Sequence, residues 1–362
     1  MPDSVTILGG GNTAFAVAAN LTHQGHDVSL WEIPSFEHTL EPVRDTQEIM
    51  LHGVAEQGAA KIKTLTTDIS QALSANDLVL VIVPSYAHDP FIESCAPHLT
   101  AEHTVVLMPG NLGTLAWAKQ LGAMGAAVPT LAEVDTAPYV CRKTEPDAAT
   151  IWGIVTGLGL GVLPTGKTEA VRTRLDGLFP GVQTYPDVVA CGLSAMNPVV
   201  HPAGLLMNAG RVERSRGEFY FYDEGITETV AEVIMKVDAE RRAVGSALGY
   251  HLLPANEAFH SAGFGPQGDL WVTINGSRML TALKAPGSLE TRWLTEDIPY
   301  GLASWSSLGS QYGVDTPTMD AFVDIGSIVI GFDGWEAARD VEALGIAGMN
   351  TDQLKAYLEA GS

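Results

Sequence analysis

Ser4-Val5-Thr6-Ile7-Leu8-Gly9-Gly10-Gly11-Asn12-Thr13-Ala14-Phe15-Ala16-Val17-Ala18-Ala19-Asn20-Leu21 reads as a strand, a glycine turn and a helix in succession. Ser4 to Leu8 is the buried first strand. Gly9 to Ala14 has the form G-x-G-x-x-A. The run from Phe15 reads as a helix, and Val28-Ser29-Leu30-Trp31 as a second strand that ends at Glu32. This is a β-loop-α-β unit with an acid at the distance a dinucleotide site needs. Gly9 allows the tight turn, Gly11 lets the backbone approach a pyrophosphate, and Ala14 lets helix and strand pack closely. Gly10, Asn12 and Thr13 complete the loop. The pyrophosphate is expected on the free N–H groups at the helix start. Glu32 is expected to accept hydrogen bonds from the adenosine ribose and to repel a 2′-phosphate, so NAD(H) is preferred over NADP(H).

Size and charge bound the rest. A chain of 362 residues, 46% of them apolar, can build two domains with separate cores. The formal net charge is -22, from 42 acidic and 20 basic residues. Such a surface repels nucleic acid and anionic membrane, and an anionic substrate must meet locally placed cations. Cys95, Cys141 and Cys191 have neither metal-ligand nor disulfide spacing, so free thiols and no metal are expected. No cationic stretch precedes an apolar leader, and no apolar run reaches membrane-spanning length uninterrupted. The expected location is the cytoplasm.

Outward from the first unit, strand and helix signals alternate. Leu78 to Val83 is a continuous apolar run, as for a strand buried on both faces, and Pro84-Ser85 stop it. Thr104 to Met108 is the next strand, closed by Pro109-Gly110. Further strands are expected at 130–134, 137–141 and 149–156, with 157–163 continuing the last. Three loops at strand ends, 9–14, 84–88 and 109–113, belong on one edge, and Pro84 is assigned to the nucleotide site. Past residue 180 helix signals dominate: Ala203 to Ala209, a long helix from Thr227 to Tyr250, and helices near 305–312, 317–330, 334–341 and 351–359. Thr316-Pro317 reads as a cap followed by proline in the first turn. The fold expected is α/β: a Rossmann-type parallel-sheet domain, residues 1–185, then an all-helical domain, residues 186–362.

Three segments of the second domain can carry chemistry. In Asn197-Pro198-Val199-Val200-His201-Pro202, the imidazole of His201 can donate and recover a proton near neutrality. Asn197 can orient a substrate or the nicotinamide amide. In Thr291-Arg292-Trp293-Leu294-Thr295-Glu296-Asp297, Arg292 can hold a carboxylate through two parallel hydrogen bonds. Asp297 can orient His201. Taken alone, each of these is more often a structural histidine, a helix-surface pair or a cap. In Lys236 to Arg242, Lys236 and Glu240 are four apart and suit a simple helix pair. Arg211 and Arg214 can face a cleft. Tyr222, Phe259, Trp293 and Tyr300 are pocket or core residues, with nothing local to decide between them.

The glycine loop, Asn197 to Pro202 with Leu205-Leu206-Met207-Asn208-Ala209, Gly225-Ile226-Thr227, Lys236 to Arg241 and Thr291 to Asp297 occur in one order. In that order the chain resembles the opine dehydrogenases of the octopine/nopaline dehydrogenase family over nearly its whole length. The resemblance implies a Rossmann domain, a helical domain and an active site between them. It also implies reversible NADH-dependent condensation of an α-keto acid, often pyruvate, with the amino group of an amino acid. The family's catalytic histidine falls on His201, its partner aspartate on Asp297 and its carboxylate-binding arginine on Arg292. Asn197 matches a polar residue near nicotinamide and substrate. Family members occur as monomers and as oligomers, so a homodimer stays open. Two rivals remain. One is a 2-keto or 2-hydroxy acid reductase of the ketopantoate reductase or glycerol-3-phosphate dehydrogenase type, though these rely on a lysine acid. The other is a non-catalytic NAD-binding protein, which has no need of the second-domain residues.

Overall fold

The computed structural model describes residues 4–361. The chain divides into two compact units: one runs to Val188 and takes the chain again from Tyr357, and the other is Val189–Ala356.

The strands of the first unit are β1 (Ser4–Leu8), β2 (Asp27–Trp31), β3 (Glu48–Gly53), β4 (Gly58–Lys61), β5 (Thr64–Thr66), β6 (Leu78–Val81), β7 (Thr104–Leu107), β8 (Thr130–Val134), β9 (Tyr139–Glu145), β10 (Ala148–Ile154), β11 (Gly159–Leu163) and β12 (Gln183–Thr184). Its helices are α1 (Asn12–His23), α2 (Ile69–Ala75), α3 (His88–Cys95), α4 (Gly113–Ala123) and α5 (Thr168–Leu178). The main sheet has the order β12-β11-β8-β7-β6-β1-β2-β5. From β8 to β5 every pairing is parallel. All four residues of β6 and of β7 are buried, which is why these strands read as unbroken apolar runs. Each large apolar side chain so buried contributes about 1.5–3 kcal/mol. Successive strands leave β1 toward β2 on one side and toward β6, β7 and β8 on the other. The strand order therefore reverses beside β1, and a crevice opens outside the carboxyl ends of β1 and β6.

Two features differ from the sequence expectation. The runs at 137–141 and 149–156 do not extend the main sheet: β9 and β10 join β3 and β4 in a second sheet of order β4-β3-β10-β9. Its inner face, with Ile49, Leu51, Ala60, Ala149 and Ile151, shares one core with Ala14 to Ala19 of α1. The stretch 157–163 does not continue β10. The chain turns at Thr156-Gly157, and β11 crosses to the main sheet and pairs antiparallel with β8. The chain end also departs from an uninterrupted second domain to 362. Leu358 is buried and Gly361 lies against Pro164, so the last turn of the chain belongs to the first unit.

The second unit carries α6 (Val188–Leu193, whose first residue closes the first unit), α7 (Asn197–Leu206), α8 (Ala209–Ser215), α9 (Glu228–Ala247), α10 (Ala255–Ser261), α11 (Leu270–Asn275), α12 (Arg292–Thr295), α13 (Ser304–Gln311), α14 (Pro317–Ile330) and most of α15 (Thr351–Ala360). Its β pairing among the described residues is the isolated bridge Tyr220–Lys284. Residues 334–341 form turns rather than the expected helix. Asp333 Oδ1 accepts from the N–H groups of Trp335 and Glu336, and Asp340 Oδ1 from that of Ala343. Such side-chain acceptors compete with the helical ladder. Val188–Leu206 is apolar and long enough to cross a membrane, contrary to the reading of the sequence, but 83% of it is buried in the fold. It is a core segment, broken between α6 and α7 at 194–196.

Candidate active site

The candidate nucleotide site of the first unit is built on β1. Gly9 has φ 123°, and a Cβ there would lie 2.6 Å from the carbonyl oxygen of Ile82, which follows β6. Only glycine lets the turn pass that close to the neighbouring strand. Gly11 is the N-cap of α1 and makes no side-chain cap bond, and the first turn of α1 holds no acid. Nothing lies within 4 Å of a Cβ placed on Gly11, so the space before it is open. An uncapped twelve-residue helix facing open space has the donors and dipole that a pyrophosphate needs. Glu32 is 6% exposed and folds back on the loop. Its Oε2 accepts from Gly10 N–H at 2.6 Å and its Oε1 from Ile33 N–H at 2.8 Å. Burial pushes the Glu32 carboxyl above the usual range, and the two backbone donors pull it back down. Pro84 ends the β6 loop and precedes a short 3-10 turn. There Ser85 accepts a hydrogen bond at 3.0 Å from Asn111 of the β7 loop, joining the two loops.

A second candidate cluster lies wholly in the helical unit. His201, on α7, is 7% exposed, and Asp297 is 5% exposed. Nδ1 of His201 lies 2.7 Å from Asp297 Oδ2, although 96 positions separate the two residues. The remaining nitrogen, Nε2, lies 3.3 Å from the hydroxyl of Tyr222. One face of the imidazole stacks on Trp293, with ring centroids 4.2 Å apart and planes 4° apart. Burial first, and the Asp297 charge second, push the Tyr222 phenol up, so it stays neutral and can donate.

Local sequence explains this assembly. Thr291 caps α12, accepting from the N–H of Trp293. The same short stretch thus presents Arg292, Trp293 and Asp297. Gly301, in the turn after Asp297, packs where a Cβ would lie 2.4 Å from Pro198 on α7. Without a side chain there, the Asp297 segment can sit against the helix that carries His201. Phe221 packs edge-on against Trp293 at 4.8 Å and Tyr222 follows it, which fixes that phenol beside the histidine.

The other candidates sort differently. Asn197 opens α7 half-buried, and Arg292 is exposed in the first turn of α12. No distance ties either of them to the His201 ring. Lys236 does not pair with Glu240: Lys236 is exposed, and Glu240 instead accepts from the N–H groups of Thr318 and Met319. The cap of α14 is therefore Glu240 from another helix, while the side chain of Thr316 bonds Ser306 and Asp320. Arg241 and Asp238 form a fully buried pair that also ties the carbonyls of Leu193 and Leu253, a structural role. Arg211 pairs with Glu224 and lies over Phe219. Phe259 packs against Phe264, and Tyr300 faces Arg339. Two groups carried no sequence signal. Asp135, just beyond β8, accepts from Tyr185 O–H and Gly159 N–H, and burial pushes it up to about 6. Lys143 of β9 stands beside the glycine loop.

A dinucleotide crevice in one unit and a buried histidine–aspartate pair in a helical unit define a two-domain, NAD-dependent oxidoreductase. Residues 184–330 match the family model described as NAD/NADP octopine/nopaline dehydrogenase, alpha-helical domain. Residues 4–110 match the N-terminus of NAD-dependent glycerol-3-phosphate dehydrogenase. The chain is 29% identical over 354 residues to an opine dehydrogenase of Arthrobacter sp. (strain 1C), covering 98% of each. A solved octopine dehydrogenase with NADH and L-arginine superposes with TM-score 0.80 at 20% identity, covering 99% of this chain and 98% of that one. A yersinopine dehydrogenase with bound NADP+ does so with TM-score 0.75 at 15% identity, over the same shares. Over nearly its whole length the chain is similar to opine dehydrogenases, and its helical part matches the octopine/nopaline dehydrogenase family model.

Proposed function

We propose that the chain is an opine dehydrogenase, which joins an α-keto acid, pyruvate in the first instance, to the amino group of an amino acid. Keto acid, amine, NADH and a proton give the N-(1-carboxyalkyl) amino acid, NAD+ and water, reversibly. Bound at the Gly9 to Ala14 loop, the nicotinamide nucleotide supplies the hydride. The observation that carries the reading is the buried His201–Asp297 pair at 2.7 Å, stacked on Trp293.

The chain's own residues supply the rest. A carboxylate on Nδ1 selects the tautomer with its proton there, which leaves Nε2 for chemistry. Nε2 gives a proton to the oxygen or nitrogen at the reacting carbon and takes one back in the oxidative direction. Asp297 stabilises the imidazolium that forms when Nε2 is protonated, and the face of Trp293 adds a cation–π attraction. Tyr222 marks the end of the ring that the substrate must reach. Arg292, with no ion pair among the described residues, is assigned the keto-acid carboxylate, and Asn197 an orienting contact. Glu32 favours NAD(H) over NADP(H) through the ribose hydroxyls. Cys95, Cys141 and Cys191, which form no disulfide, suit a reducing cytoplasm, and the proposed substrates suit a place in amino-acid metabolism.

His201→Gln and Asp297→Asn separate chemistry from binding. Turnover is expected to fall on the order of 10²–10⁴-fold while NADH affinity, read by fluorescence titration, holds. Turnover near that of the unaltered chain in either variant removes the pair from the reaction.

A further inference from the structure

The adenosine end of the nucleotide site carries a cation that the glycine fingerprint does not include. Lys143 lies on β9, in the second sheet. Its backbone N–H donates to Asn12 Oδ1 of the glycine loop at 2.8 Å, which fixes its position against that loop. Its side chain runs across α1, with Nζ 3.6 Å from the centroid of the Phe15 ring. Nζ donates to the carbonyl oxygen of Thr39 at 3.1 Å. Thr39 and Glu32 together close over Gly10: a Cβ on that glycine would lie 2.3 Å from Thr39 Oγ1 and 2.8 Å from Glu32 Oε2. Through Thr39 the ammonium therefore stands on the same side of the glycine loop as Glu32, the acid expected at the ribose.

The charge balance at that end differs from that of a bare acid. Both oxygens of Glu32 already take backbone N–H bonds, and His38 and Lys143 both attract its charge. A lone buried acid repels a 2′-phosphate, whereas an acid with a lysine beside it does so far less. An ammonium has three N–H donors; one is spent on Thr39 and one faces the Phe15 ring, which leaves one for a phosphate oxygen. Half-burial and the Phe15 face hold the side chain in place, so little conformational freedom is lost on binding.

We propose that Lys143 is a specificity-determining residue that binds the 2′-phosphate of NADP(H), so that the chain accepts NADPH alongside NADH despite Glu32. The inference rests on the nucleotide site described above, and the unaltered chain's NADH titration tests that site separately.

The test compares the affinities of NADH and NADPH for the full chain, by fluorescence titration without substrate. Lys143→Met keeps the aliphatic stem over Phe15 and removes the charge. It is expected to weaken NADPH about 10-fold to 100-fold and NADH by no more than about 3-fold. Lys143→Arg is expected to retain most of the NADPH affinity. Equal losses for both nucleotides in Lys143→Met overturn the proposal, because the lysine then serves the shared pyrophosphate or the fold of the loop. So does NADPH affinity that survives the loss of the charge. Melting temperatures of the variants show whether the loop kept its structure, and Lys143→Gln, which also removes the charge and is expected to give the same selective loss, carries the test if Lys143→Met does not fold.

Discussion

Asp297 occupies Nδ1 of His201, and Trp293 stacks on one face of its ring. Neither residue was legible as a neighbour of His201 from spacing, since 96 positions separate the histidine from the aspartate. Residue types alone offered Asp297 as an orienter of His201, and the resemblance assigned the two as partners. The stacking of Trp293 and the approach of Tyr222 were not readable, because an aromatic residue in a helical stretch looks the same whether it fills a core or walls a site. Lys143 was hidden for another reason: it reaches the glycine loop from a strand 131 positions away from Asn12. Arg292 is the residue whose assignment has the plainest kinetic signature. If its guanidinium holds the keto-acid carboxylate, Arg292→Gln should raise KM for the keto acid about 10-fold to 100-fold. The KM for NADH should be nearly unchanged. Arg292→Lys should recover only part of the loss, because an ammonium cannot form the two parallel bonds. Initial rates against keto acid at saturating NADH read both; an unchanged KM withdraws the assignment.

At the scale of elements, β1, α1, β2, β6, β7, β8 and the long helix α9 were legible because strand and helix periods and turn residues agreed with burial. The second sheet was not. Its strands β3 and β4 are short and alternate buried with exposed residues, and the strand that joins β3 to the rest of the sheet, β10, comes about a hundred residues later. Pairing at that distance leaves no local mark. Capping gives a second example. Thr316-Pro317 has the form of a cap, yet the donors at the start of α14 are taken by Glu240 from α9. Glu240→Ala should therefore cost about 1–2 kcal/mol of stability in urea unfolding, from a lost cap and a lost charge at a helix N-terminus. Lys236→Ala, at an exposed site four residues earlier, should stay within about 0.5 kcal/mol of the unaltered chain. Equal effects of the two would restore the simple helix pair read from spacing.

On the scale of the whole molecule, the two units divide the labour. One carries a crevice at a strand-order reversal, and the other buries the His201–Asp297 pair among helices. A fold of this kind also serves simple keto-acid reduction, so the amine must be shown to enter the product. The most direct measurement uses NADH deuterated at its transferring position, pyruvate and a panel of amino acids, with the products weighed by mass spectrometry. The account requires a secondary amine in which keto acid and amino acid are joined with loss of water and one deuterium is retained, formed only when both substrates are present. Deuterated hydroxy acid formed from pyruvate, with the amino acid recovered intact, contradicts it.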